Sequence, residues 1–166
     1  AWFDGGDDDV EALLRHADMA MYQAKAAGRN GWSFYSPELE QSVSQRMLVE
    51  EGLPKAIEMH ELVLHYQPQI HCRTGAVVGV EALVRWQHPE LGLLLPGQFV
   101  PQAENHGHIE ELGAWVMRTA CHQLRAWQAV GMGGFGMAVN VSAVEFARSG
   151  FIPRLRKGMF CGFSAG

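Results

Sequence analysis

Three residues have the type and placement to do chemistry: Glu81, Arg85 and Asn140. Glu81 and Arg85 lie in the run Val78–Arg85, where Val78, Val80, Ala82 and Val84 share one face of a strand and Gly79, Glu81, Leu83 and Arg85 share the other. Asn140 interrupts the apolar run Val139–Val141, so its amide points away from the valines. A carboxylate and an amide carried on neighbouring strands could converge on a hard divalent cation, since Mg²⁺ takes oxygen ligands of this kind. A guanidinium such as that of Arg85 can grip a phosphate through two parallel hydrogen bonds. Each has a plainer reading as well. Glu81 could pair with a nearby arginine or face solvent, Arg85 could be a surface cation, and asparagine commonly serves turns and caps.

These residues need elements to hold them. Apolar residues at Val10, Leu13, Leu14, Ala17, Ala20, Met21 and Ala24 predict a helix over 10–27, with Asp8 and Glu11 as a capping box and Gly28 as its stop. Lys25 and Arg29 would complement the end of its dipole and need no ligand there. Trp32–Tyr35 reads as a short strand. Pro37 opens a second helical stretch to about His60, which Gly52 and Pro54 are expected to divide into a linker helix and a separate one. From Leu62 the period becomes two: Leu62–Pro68 and Val77–Trp86 read as strands of a hairpin turning at Arg73-Thr74-Gly75. His88–Pro101 reads as a Pro- and Gly-rich loop, 109–130 as an amphipathic helix, Met137–Ser142 as a strand, and 143–157 as the start of another helix. Alternating strands and helices of this kind predict an α/β fold with parallel strands.

Composition narrows the function. Thirteen Lys and Arg against eighteen Asp and Glu give a net charge of −5, which argues against wholesale binding to DNA, RNA or anionic membrane but leaves room for a small anionic ligand. Cys72, Cys121 and Cys161 show neither disulfide-framework nor zinc spacing, so a reducing cytoplasm is the expected setting. His106-x-His108 and Cys121-His122 lack further ligands at metal-site spacing, and adjacent helix positions do not face one way. Trp115 and Trp127 read as core, and Trp86 as core or ligand platform. No apolar run reaches membrane-span length. The first residue is Ala1 rather than Met, and preceding sequence, with any anchor or sensor, is expected.

Three segments resemble known families. Ala17-Asp-Met-Ala-Met-Tyr-Gln-Ala-Lys25 with Gly28-Arg-Asn30 resembles the closing helix of GGDEF (diguanylate cyclase) domains. Tyr66-Gln-Pro68 with Glu81-Ala-Leu-Val-Arg-Trp86, and then Val139-Asn-Val-Ser142, resemble the opening strands of EAL domains, the cyclic-di-GMP phosphodiesterases. Together the matches cover roughly residues 9 to 155. The run Gly5-Gly-Asp-Asp-Asp9 is not the GGDEF signature, because it lies immediately before the closing helix, where a polar loop and cap are expected.

The resemblance implies residues 1–36 as a GGDEF remnant, 37–55 as a helical linker, 56–160 as the front of an EAL domain and 161–166 as an unmatched tail. It implies an incomplete TIM-barrel-like α/β fold, with chemistry at the C-terminal ends of the strands. Glu81 and Asn140 would be ligands to Mg²⁺ or Mn²⁺, and Gln67, Leu83 and Arg85 would hold cyclic di-GMP for metal-assisted hydrolysis to the linear dinucleotide. The family's later E-x-T-E and D-D-F-G strands, catalytic lysine and late glutamate find no match after Ser142. A barrel of this type takes about eight strands and about 250 residues, so the chain by itself is expected not to hydrolyse the dinucleotide. Leu95, His108 and Glu145 depart from the family's usual Ser, aliphatic residue and Gln. The alternative is a non-catalytic module that binds cyclic di-GMP or a protein; an exposed sheet edge would also suit a homodimer.

Overall fold

A computed structural model describes residues 9–26, 31–153 and 155. The elements are α1 (Val10–Ala26), α2 (Pro37–Glu58), β1 (Leu62–Ile70), β2 (Val77–His88), β3 (Gly92–Leu94), α3 (Pro96–His106), α4 (Ile109–Ala129), β4 (Gly136–Val139) and α5 (Ala143–Phe146). The chain divides into two compact units, one ending at Val49 and one beginning at Glu50.

In the first unit, Ser36 caps α2 by accepting from Leu39 N at 3.2 Å, and Pro37 follows where a missing N–H costs nothing. The Ser36 hydroxyl also holds the Glu38 carboxyl below its ordinary range. Residues 32–35, expected as a strand, have no regular structure. A strand needs a ladder partner, and Trp32 and Phe34 instead stand largely exposed, at 77% and 68%. The capping box at Asp8 and the stop at Gly28 lie outside the described residues.

The second unit is built on a four-stranded sheet. β1 and β2 form the expected hairpin, with Gln67 opposite Glu81 and Tyr66 opposite Ala82. Gly75 closes its turn at a φ of +70°, a backbone conformation that glycine adopts freely. β3 adds antiparallel to the end of β2, and β4 pairs β2 in parallel, with Glu81 beside Ala138 and Ala82 beside Val139. Helices α3 and α4 supply the crossover between these parallel strands.

Those helices cover one sheet face. Leu62, Val80, Ala82, Trp86 and Leu94 of the sheet are buried with Phe99, Ala103, Leu112, Val116 and Ala120 of the helices. Tyr66 meets Trp127 edge-on, with ring centroids 4.8 Å apart, and Trp86 meets Phe99 at 5.8 Å.

Two expectations are corrected here. Gly52 and Pro54 do not divide α2, which runs unbroken to Glu58. Gly52 is a point of close approach: a Cβ there would stand 3.1 Å from Trp86 Cζ2 and 3.2 Å from Cη2. Leu53 and Ala56 beside it are 1% and 0% exposed, and that packing offsets the backbone bond lost at Pro54. The second correction is His88–Pro101, which is not a loop but contains β3 and the start of α3. Pro96 sits at the first helical position, Gln98 Oε1 accepts from Leu95 N at 2.8 Å, and burial of Phe99 and Ala103 holds the helix through Pro101.

Candidate functional site

Among the described residues, the sheet has one face under helices and one face without them, and the chemical residues belong to the second. Side chains alternate along β2, so burying Val80, Ala82 and Trp86 puts Glu81, Leu83 and Arg85 on the other side. Gln67 joins them from β1, directly opposite Glu81. Ala138 flanks Glu81 on the parallel side, and Asn140 follows two residues on. The strand stops at Val139, so Asn140 stands just past its end and not within it.

There the Asn140 Nδ2 donates to Glu81 Oε1 at 2.7 Å. The remaining Glu81 oxygen and the Asn140 amide oxygen are left as acceptors on an open face. That donor set fits a hard divalent cation, which takes carboxylate and amide oxygens with water completing its shell. It supplies two protein oxygens; among the described residues no group of three His, Cys, Asp or Glu could hold a metal ion.

Arg85 lies four residues from Glu81 along β2, a separation of about 13 Å. Its Nη1 donates to its own strand at the Val84 carbonyl, 2.8 Å away, and no carboxylate among the described residues pairs with it. The structure thus brings Gln67, Glu81 and Asn140 together, and sets Arg85 further along the same face with Leu83 between.

On the opposite face, burial pushes the Tyr66 phenol above the usual tyrosine range. Trp86 is core, fully buried with its Nε1 donating to Glu61 Oε2 at 2.9 Å. His106 and His108 pair with Glu50 and Glu111 at 3.6 Å and 3.7 Å. Lys25 lines a cleft of about 510 Å³ between α1 and α2, and Arg29 lies outside the described residues.

Sequence reasoning missed Glu104, which joins a second group of residues behind Asn140. Leu83, Val100, Leu112, Glu104, Ser142 and Glu145 line a cavity of about 360 Å³ that also reaches Asn140. Ser142 Oγ donates to Glu104 Oε1 at 2.5 Å. The apolar spacing of Phe99 and Ala103 could have revealed the helix that carries Glu104, but the prolines around it read as loop.

This geometry agrees with what comparison finds. The family model for the EAL domain matches residues 50–160. The chain belongs to the EAL domain family. It is 40% identical over 159 residues to the bifunctional diguanylate cyclase/cyclic di-GMP phosphodiesterase MucR of Pseudomonas aeruginosa, covering 96% of this chain and 23% of that protein. It is 42% identical over 149 residues to the cyclic di-GMP phosphodiesterase PdeR of Escherichia coli, covering 90% of this chain and 22% of that protein. A solved structure of PaMucR phosphodiesterase in complex with c-di-GMP superposes with a TM-score of 0.65 at 43% identity, over 68% of this chain and 46% of that one. The EAL chain described here therefore spans under a quarter of these curated relatives, and its EAL portion is part of a domain. No helix among the described residues is long and apolar enough to cross a membrane.

Proposed function

We propose that this chain is the front part of a cyclic-di-GMP phosphodiesterase, and that its open sheet face is where the dinucleotide and its metal sit. The observation that carries the reading is the Asn140–Glu81 hydrogen bond at 2.7 Å with Gln67 directly opposite, three oxygen-bearing side chains on one face. In this reading Glu81 and Asn140 hold Mg²⁺ or Mn²⁺, while Gln67, Leu83 and Arg85 hold cyclic di-GMP. A bound divalent cation would activate water and offset charge on the phosphodiester. The residues of the chain do the rest: Arg85 meets a phosphate, Leu83 offers apolar surface to a base, and Gln67 fixes the ligand against β1. The distance from Arg85 to Glu81, about 13 Å, suits an extended ligand with separate phosphates better than a small anion.

Residues 1–36 are read as the tail of a GGDEF domain and 37–55 as the linker. Support comes from MucR, which matches 96% of this chain and whose name pairs diguanylate cyclase with phosphodiesterase. With two protein ligands in place, the chain is expected to bind the dinucleotide without hydrolysing it.

Calorimetry with cyclic di-GMP and Mg²⁺ tests this. Saturable binding should weaken about tenfold or more in Arg85→Ala, as loss of a charge-assisted phosphate contact would require. Chromatography of the same mixture should show no linear dinucleotide. Binding untouched by Arg85→Ala would remove the site, and metal-dependent turnover would remove the claim that the chain is inert.

A further inference from the structure

Asn140 stands one residue past the ladder that fixes Val139 beside Ala82, so its aim at Glu81 must be set from the far side. The next residues supply that fixture. Ser142 Oγ donates to Glu104 Oε1 of α3 at 2.5 Å and accepts from Val144 N at 3.1 Å, which commits the hydroxyl as both donor and acceptor. One turn on, Glu145 is 7% exposed, and its carboxylate lies against the bare Cα of Gly113 in α4. Arg148 Nη1 then donates to Glu110 Oε1 at 2.9 Å. Only Asn140 and Val141 hang between Val139 at the end of β4 and the Ser142 anchor, a span of at most about 10 Å that leaves the amide little room to swing.

We infer that Glu104 is a positioning residue for Asn140: through Ser142 it holds the chain after β4 so that the Asn140 amide faces Glu81. Glu104 does not touch the cation or the dinucleotide in this scheme. The inference rests on the reading of Glu81 and Asn140 as oxygen donors to a divalent cation. Its geometric half, the aim of the amide at Glu81, can be tested without that reading.

The experiment is NMR of the ¹⁵N-labelled chain with Mn²⁺ as the probe, following the Asn140 side-chain NH₂ pair, which is assigned by its loss in Asn140→Asp. In the wild type these signals broaden as Mn²⁺ is added. Glu104→Ala should raise the Mn²⁺ midpoint about tenfold, and Glu104→Gln, which still accepts, by no more than about twofold. Ser142→Ala should match Glu104→Ala, and the double variant should be no worse than either single one. A Glu104→Ala chain that melts earlier but keeps its midpoint would show a purely structural glutamate and overturn the proposal. Equal weakening by Gln and Ala would do the same, because the acceptor would then not be the cause. Should Glu104→Ala fail to fold, an unchanged midpoint in Ser142→Ala is the result that sinks it. If Mn²⁺ does not broaden Asn140 even in the wild type, the metal reading fails by itself. The NH₂ shifts then decide: movement in Glu104→Ala toward those of Glu81→Ala supports positioning, and unmoved shifts reject it.

Discussion

The Asn140 amide donates to the Glu81 carboxylate at 2.7 Å, tying the end of β4 to the middle of the strand it runs parallel to. Asn140→Asp would set two carboxylates in that contact. Without a cation the repulsion should cost about 1 kcal/mol, or a melting temperature about 4 °C lower in EDTA. A divalent cation placed between them reverses the sign, because binding only to the folded state stabilises it. Circular dichroism melts should therefore show Mg²⁺ raising the variant's transition more than the wild type's. Equal responses would mean that no cation sits between these side chains.

Gly52 makes a prediction of the opposite kind to the usual glycine argument. In the middle of a helix, Gly→Ala ordinarily stabilises by about 1 kcal/mol. Here the new Cβ would stand 3.1 Å from Trp86 Cζ2, and the indole is fully buried, tied to Glu61 and set against Phe99. It has nowhere to retreat. Overpacking of about 1–3 kcal/mol should outweigh the propensity gain, so Gly52→Ala lowers the urea midpoint. A raised midpoint would show that the ring moves aside freely.

The same residue shows where sequence reasoning stops. Glycine next to a proline reads equally as a break in a helix or as room for a ring, and only the arrival of Trp86 from β2 decides between them. What was legible depended on local period. Val80 and Ala82 against Glu81 and Leu83 separated the two faces of β2, and Arg73-Thr74-Gly75 marked the hairpin turn. Leu112, Val116 and Ala120 marked the buried stripe of α4. What was hidden depended on tertiary support. Pro96 and Pro101 masked α3, because a cap and the burial of Phe99 overcome their cost, and with α3 went Glu104. Asn140 was recognised through its motif, but its contact with a residue 59 positions away is a property of parallel pairing that no local pattern carries.

Gly113 lies against the buried carboxylate of Glu145. A Cβ there would meet both carboxylate oxygens well inside van der Waals contact. Gly113→Ala alone should therefore destabilise by about 1–3 kcal/mol. In a Glu145→Ala background the obstacle is gone, and the same change should stabilise by up to about 1 kcal/mol through helix propensity. Urea titrations of the two singles and the double complete the cycle. Additive effects would mean that Glu145 does not rest on α4.

Tyr66 gives the pH dependence. Its phenol lies on the covered face against Trp127, and burial raises its pKa above the ordinary tyrosine value of about 10. The folded state thus binds the proton more tightly than the unfolded chain does. Its contribution is fully present below pH of about 10, the unfolded value, and is lost as pH rises through the higher folded value. Tyr66→Phe carries no such proton. The stability of the wild type relative to Tyr66→Phe should be flat from neutral pH to pH about 10 and then fall, as read from urea midpoints at matched pH. Every other titratable group is common to both proteins, so the difference isolates Tyr66. A relative stability that rises through this range would mean that the fold favours the phenolate, contrary to its place beside Trp127.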